Sequence, residues 1–194
     1  MYRFTCMLVR FFLHLIFRIK IYGAENLPES GGYILCSNHL SNWDPPVLQA
    51  FLRRPIRFMA KSELFDVFFV GFVMRRIKAI PVKRSGADLT AIKESLKTLK
   101  NGGILGIFPT GQRENVKGEG EVKPGIGLIA VKSGCDVIPV HITSTYRIFS
   151  GVIIDIGKGE KYSACEGEKL TPDVLERISN EIYSKVKKLP GERK

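Results

Sequence analysis

The stretch Tyr33-Ile34-Leu35-Cys36-Ser37-Asn38-His39-Leu40-Ser41-Asn42-Trp43-Asp44-Pro45-Pro46 decides the fold. Tyr33–Cys36 is an unbroken apolar run of strand length, preceded by a Gly31-Gly32 turn, and reads as a short buried strand. Asp44-Pro45-Pro46 reads as a helix start, because proline is tolerated in a first turn whose N–H groups have no helical partner. A strand running through a short polar segment into a helix is the building unit of an α/β sheet, and functional groups collect in the loops after such strands.

The same alternation continues outward. Ile19–Gly23, Arg57–Ala60, Ile77–Val82, Ile104–Phe108, Val137–Ile142 and Val152–Ile156 read as strands. Leu89, Ile92, Leu96 and Leu99 mark a helix ended by Asn101-Gly102-Gly103, with Ser85 and Asp88 spaced for a capping arrangement at its start. Pro124–Ser133 reads as a helix stopped by Gly134, and Thr171-Pro172-Asp173 opens a last one carrying Leu175, Ile178, Ile182, Val186 and Leu189. Leu64–Arg76 is apolar around Gly71 and reads as a short helix pair or a hydrophobic loop. The expectation is a single α/β domain over 21–194, with a mostly parallel or mixed sheet flanked by helices, behind an N-terminal helix over 1–20.

Composition agrees with one globular domain: 194 residues, 44% of them apolar, are enough for a core and rule out a disordered chain. Thirty Lys and Arg against 19 Asp and Glu give a net charge of +11, which points to phosphate-bearing partners. Nucleic acid is not expected, since neither a binding motif nor a spaced aromatic-basic pattern is present. Cys6, Cys36, Cys135 and Cys165 show no metal-ligand or CxxC spacing, so no metal site is expected and a reducing compartment fits.

Residues 1–20, MYRFTCMLVRFFLHLIFRIK, are apolar with four basic residues and no acid. The charges break the run well short of the ~20 residues a spanning helix needs. At 100° per residue Arg3, Arg10, His14 and Arg18 fall within about 80°, and Phe4, Met7, Leu8, Phe11, Phe12, Leu15, Ile16 and Phe17 cover much of the rest. Such a helix either lies in the interface of an anionic membrane or packs on the domain core; the lack of acids favours the membrane surface. The corresponding location is the cytoplasmic face of the cell membrane, peripheral or monotopic.

His39 and Asp44 are five residues apart, about 140° on a helix, but they can meet across a strand-to-helix turn. Asp44 accepting from one ring nitrogen would fix the tautomer and make the other nitrogen a base. No serine or cysteine stands as an evident nucleophile, so such a base would activate a substrate hydroxyl. The alternative is structural: Asp44 as a helix N-cap and His39 bonded to a backbone group.

The blocks that follow carry a resemblance. Asn38, His39, Ser41 and Asp44 match an NHxSxxD motif, Ile80, Pro81, Val82 and Arg84 a second block, Phe108, Pro109, Gly111 and Arg113 a third, and Pro139 a fourth. In this order over roughly residues 20–160 the chain resembles the glycerophospholipid acyltransferases of the bacterial PlsC type, the 1-acyl-sn-glycerol-3-phosphate acyltransferases. The resemblance implies that His39 is the general base and Asp44 its orienting partner. It implies that the hydroxyl of a lysophospholipid, 1-acylglycerol-3-phosphate foremost, attacks the thioester of acyl-CoA or acyl-carrier protein without an acyl-enzyme and without a further cofactor. Arg84 and Arg113 would hold the acceptor phosphate with the Gly111 backbone close by, and Lys61 is a further phosphate candidate. Two positions depart from the family pattern: Thr110 stands where it has Glu, and Gln112 where it has Thr. Glu114 lies near in sequence without matching the motif. The departure at Thr110 leaves a second reading, an acyltransferase-like protein that binds lipid with weak or no catalysis.

Overall fold

The computed structural model describes residues 2–52, 54–83, 88–113, 120–164 and 169–192, and within these excludes the side chains of residues 2–6, 8, 191 and 192. The elements are α1 (Tyr2–Ile16), β1 (Arg18–Tyr22), β2 (Tyr33–Ser37), α2 (Asp44–Phe51), β3 (Ile56–Lys61), α3 (Phe68–Arg76), β4 (Ile80–Val82), α4 (Leu89–Lys100), β5 (Ile104–Ile107), α5 (Gly125–Ser133), β6 (Val137–Ser144), β7 (Gly151–Ile156) and α6 (Pro172–Lys188). The strands form one seven-stranded sheet in the order β1-β7-β6-β2-β5-β3-β4. β2 pairs in parallel with β5 and β6, β5 with β3, and β3 with β4; β7 runs antiparallel to β6 and takes β1 parallel to itself. The sheet is therefore mixed, with five parallel strands ending on one edge.

The pleat of β2 splits the core in two. Tyr33 and Leu35 join Val47, Leu48 and Phe51 of α2 and Leu13 and Phe17 at the end of α1 on one face. Ile34 and Cys36 face the other way, into Ala91 and Leu99 of α4, Ile126 and Ile129 of α5, and Ile178, Ile182 and Val186 of α6. This alternation follows from the two-residue period of a strand covered on both sides.

Three local readings of the sequence change, and the choice between a helix pair and a loop over Leu64–Arg76 is resolved. The fourth strand begins at Ile80 rather than Ile77, because Lys78 takes a left-handed φ of 54° and turns the chain first. Asp88 is itself the N-cap of α4, accepting from Ala91 N at 3.0 Å and from Lys83 N at 2.8 Å; these bonds hold its carboxyl below the usual range. Ser85, the other half of the expected capping pair, lies outside the described residues. Leu64–Arg76 resolves into a 3₁₀ turn, Ser62–Phe65, and α3. The first helix stops at Ile16, since Arg18–Lys20 pair with Gly151–Ile153 of β7.

The two faces of α1 also differ from the even stripe of the sequence reading. Leu13 and Phe17 are buried and Val9 and Ile16 pack against the same cluster, whereas Met7, Phe11, Phe12 and Leu15 remain exposed. Two members of the basic stripe lie against α2 rather than standing apart from the protein. The Arg10 guanidinium sits 4.9 Å above the Phe51 ring and donates to its carbonyl at 3.3 Å, and His14 meets that ring edge-on at 5.1 Å. Among the described residues no helix is long and apolar enough to cross a membrane.

Candidate active site

Where β2 ends, its hydrogen-bond ladder is continued by a side chain. The Asn38 amide donates to Ile142 O at 2.9 Å and accepts from Ile142 N at 2.7 Å, so it supplies one more rung towards β6. This buried, doubly bonded amide fixes where the next residue, His39, leaves the sheet.

Asp44 is fully buried and saturated. Its Oδ2 accepts from Leu40 N and Ser41 N, each at 2.7 Å, and lies 2.8 Å from His39 Nδ1. Its Oδ1 accepts from the Tyr146 hydroxyl at 2.6 Å. The carboxylate thus gathers the loop ahead of its own helix instead of capping that helix, whose N-cap position is Trp43. A carboxylate only accepts, so His39 Nδ1 carries the hydrogen and Nε2 is left with its lone pair. Burial, and then the negative charge of Asp44, push the Tyr146 phenol up, so it stays a donor through the neutral range.

An aromatic stack closes the other side of His39. The Phe108 ring lies 4.3 Å from the imidazole at 23°, and Phe58 lies 5.6 Å behind Phe108 at 9°. The stack depends on Gly106 of β5: a Cβ there would collide with the Phe58 ring, which crosses that position from the neighbouring strand.

Phe108 opens the loop after β5. Gly111 N donates to Phe108 O at 2.9 Å with φ 64° at Gly111, and Lys123 N donates to Pro109 O at 2.9 Å. Thr110 is buried, and its hydroxyl donates to Gln112 O at 2.7 Å. The residue in the family's Glu position therefore builds the turn, while Gly111, Gln112 and Arg113 are exposed beyond it. Glu114 lies outside the described residues, and so does Arg84. The described chain brings Lys83, next to Arg84, to the end of β4 on the same edge. Lys61 ends β3 on that edge too, but its Nζ is held 2.9 Å from Glu63, whose carboxyl it helps lower to about 2. With strands about 4.8 Å apart, the sheet order sets the β5 loop one strand from His39 and Lys61 two.

His39 and Asp44 therefore meet as their spacing allows. Tyr146 escaped the sequence reading. It lies 102 positions from Asp44, and its left-handed backbone (φ 49°) is stabilised by a 2.9 Å bond from its N–H to the Ser144 hydroxyl. It also meets Phe17 edge-on at 5.5 Å, and Phe17 meets Trp43 at 5.8 Å, so the end of α1 is packed against the dyad's support. Cys36, three residues before His39, is enclosed in β2; burial pushes its thiol up and makes it a poor nucleophile. Among the described residues no three His, Cys, Asp or Glu side chains come together to hold a metal ion.

Residues 18–143 match the model of the acyltransferase family. The chain belongs to that family, whose members are enzymes of acyl transfer. Its relatives include the 1-acyl-sn-glycerol-3-phosphate acyltransferase of Bacillus subtilis, 33% identical over 141 residues, which are 72% of this chain and 69% of that protein. The Streptococcus pneumoniae protein of the same name is 30% identical over 181 residues, 89% of this chain and 66% of that one. The crystal structure of the 1-acyl-sn-glycerophosphate acyltransferase PlsC from Thermotoga maritima superposes with a TM-score of 0.73 at 24% identity, covering all of this chain and 83% of that one; the likeness is one of fold.

Proposed function

We propose that the protein transfers a fatty acyl chain from acyl-CoA or acyl-carrier protein to the free hydroxyl of 1-acylglycerol-3-phosphate, giving phosphatidic acid. The observation that carries this is the Asp44 carboxylate, whose contacts with two backbone N–H groups, one phenol and His39 leave Nε2 as the base. In this reading Nε2 takes the proton of the acceptor hydroxyl as its oxygen attacks the thioester carbonyl. The C–S bond then breaks and the thiol leaves with that proton. The growing imidazolium charge is met by Asp44, which is already ordered and needs no rearrangement. No cofactor is required, since the thioester itself supplies the leaving group.

Arg113 and Arg84, with the Gly111 backbone, are assigned to the acceptor phosphate; a guanidinium fork suits that geometry. Lys61 is a weaker member of the set because Glu63 already holds it. The acceptor is taken from an anionic membrane surface, to which α1 offers Met7, Phe11, Phe12 and Leu15. The reading includes the cytoplasmic face of the cell membrane. The described cysteines, Cys36 and Cys135, are free thiols, which suits a reducing compartment.

The test is acyl transfer by purified protein in anionic vesicles, with acyl-CoA and acyl-carrier protein as donors and lysophosphatidic acid and lysophosphatidylcholine as acceptors. Transfer to lysophosphatidic acid in preference to the zwitterionic acceptor is the expected result. Buried Thr110 in place of a carboxylate favours the second reading, a lipid binder with weak or no catalysis. Binding of lysolipid without transfer from either donor would establish that reading instead.

A further inference from the structure

The segment between β3 and β4 carries an exposed apolar surface that the dyad does not use. Leu64, Val67, Phe68, Phe69 and Phe72 are all exposed, Phe68 by 92% and Phe69 by 73%. Single exposed apolar residues need no explanation, but a contiguous set of this size marks a contact surface. The helix is not loosely attached. Gly71 lies so close to the Phe65 carbonyl that a methyl group would collide with it, and Arg75 Nη1 donates to that carbonyl at 3.0 Å. α3 is thus seated on the preceding turn by its small face, which turns the phenylalanines outward.

At 100° per residue Phe68, Phe69, Phe72, Arg75 and Arg76 share an arc of about 120°, with the Arg76 guanidinium 6.0 Å from the Phe72 ring. From residue 61 to residue 83 the chain carries Lys61, Arg75, Arg76, Lys78 and Lys83 against Glu63 and Asp66. An aromatic face edged by cations is the composition of a helix lying in an anionic lipid interface. An acidic carrier protein would satisfy the arginines but leave the phenylalanines without an apolar phase.

The location carries the argument further. The segment leaves the end of β3, two strands to one side of β2 and His39. On the other side β6 adjoins β2, and exposed Ile148 and Phe149 follow its end. Apolar surface therefore flanks the dyad on both sides along the edge where the five parallel strands end. We infer that α3 inserts Phe68, Phe69 and Phe72 into the bilayer interface and so holds the His39 edge against the membrane, as an attachment separate from α1. The inference rests on the proposal that the acceptor is drawn from a bilayer.

The chain has one tryptophan, Trp43, so single-tryptophan reporters are available in a Trp43→Phe background. Phe68→Trp reports on α3 and Phe12→Trp on α1, read by emission shift and by quenching with bromine-labelled chains in phosphatidylglycerol vesicles. Blue shift and quenching at both positions is the expected result, and at position 68 alone it still supports α3 while removing α1 as an anchor. Quenching at position 12 alone overturns the inference and leaves the α1 reading standing. Quenching at neither overturns both. A shift at position 68 produced by acyl-carrier protein and not by vesicles overturns it in favour of protein docking.

In the full chain, Phe68→Ser/Phe72→Ser should lower vesicle partitioning about tenfold or more. Activity on bilayer acceptor should fall with it, while transfer to a short-chain lysophosphatidic acid below its critical micelle concentration stays unchanged. Loss of activity on both substrates with circular dichroism intact would assign α3 to the catalytic machinery and overturn the inference.

Discussion

The loop after β2 and the loop after β5 are neighbours on one sheet edge, yet they are built on opposite plans. In the first, polar side chains are buried and saturated: Asn38 bonds twice to Ile142, and Asp44 receives two backbone N–H groups, a phenol and the imidazole. In the second, the buried hydroxyl of Thr110 is spent on its own turn, and Gly111, Gln112 and Arg113 stand in solvent. Buried polar groups that are fully satisfied give a rigid arrangement suited to proton transfer. Exposed backbone and guanidinium suit a group that arrives from outside. On the proposed function the first loop carries the chemistry and the second the recognition of the acceptor, a division that should separate kcat from KM.

The strongest challenge to this division is Asp44→Asn. The amide keeps the shape of the carboxylate but turns a donor towards groups that are themselves donors, and it cannot balance an imidazolium. Acyl transfer should fall about 10²–10⁴-fold in kcat, with acceptor KM within a few fold. A variant that lost only acceptor affinity would erase the distinction between the loops.

Arg113→Ala tests the other loop. Loss of a charge-assisted contact with phosphate should raise KM for 1-acylglycerol-3-phosphate by about 10–100-fold and leave acyl-donor KM nearly unchanged. An effect on donor KM alone would reverse the assignment of the two substrates.

A smaller effect belongs to Tyr146→Phe, which removes the 2.6 Å donor from Asp44 Oδ1 and leaves the ring against Phe17. One net hydrogen bond of about 1 kcal/mol corresponds to roughly three- to tenfold in kcat. The loss should fall on kcat with acceptor KM unchanged, because the phenol acts through Asp44 and not on the acceptor. The wild type should lose no activity through Tyr146 on the alkaline side of neutral, because its phenol is pushed up in the fold. An unchanged kcat in Tyr146→Phe would confine this residue to packing.

The parts of the site legible in the sequence are those made within one loop. His39 and Asp44 could be paired because a strand, a polar segment and a Pro-marked helix start lie together in the chain. Tyr146 could not, because it reaches Asp44 only through the order of strands: β6 lies beside β2, runs past its end to Ser144, and a left-handed residue then swings the ring back. Most strands were visible as apolar runs, but Ile77–Ala79 reads like the start of one and becomes a turn at Lys78. Periodicity found the apolar and basic stripes of α1 without saying what each would meet. Arg10 and His14 turned out to lie on Phe51, and the apolar side is divided between the core and the surface. Leu64–Arg76 reads as a short helix pair or a hydrophobic loop, and nothing in its sequence tells that Gly71 permits a close backbone approach to Phe65.

The central claim, that the His39–Asp44 pair is the base of an acyl transfer, is tested most directly by His39→Ala. The measurement is acyl transfer to 1-acylglycerol-3-phosphate in anionic vesicles, with thermal unfolding and vesicle binding recorded on the same preparations. Turnover should drop by about 10²–10⁴-fold while unfolding and vesicle binding stay at wild-type values. Turnover close to wild type in a folded, vesicle-bound variant would contradict the account.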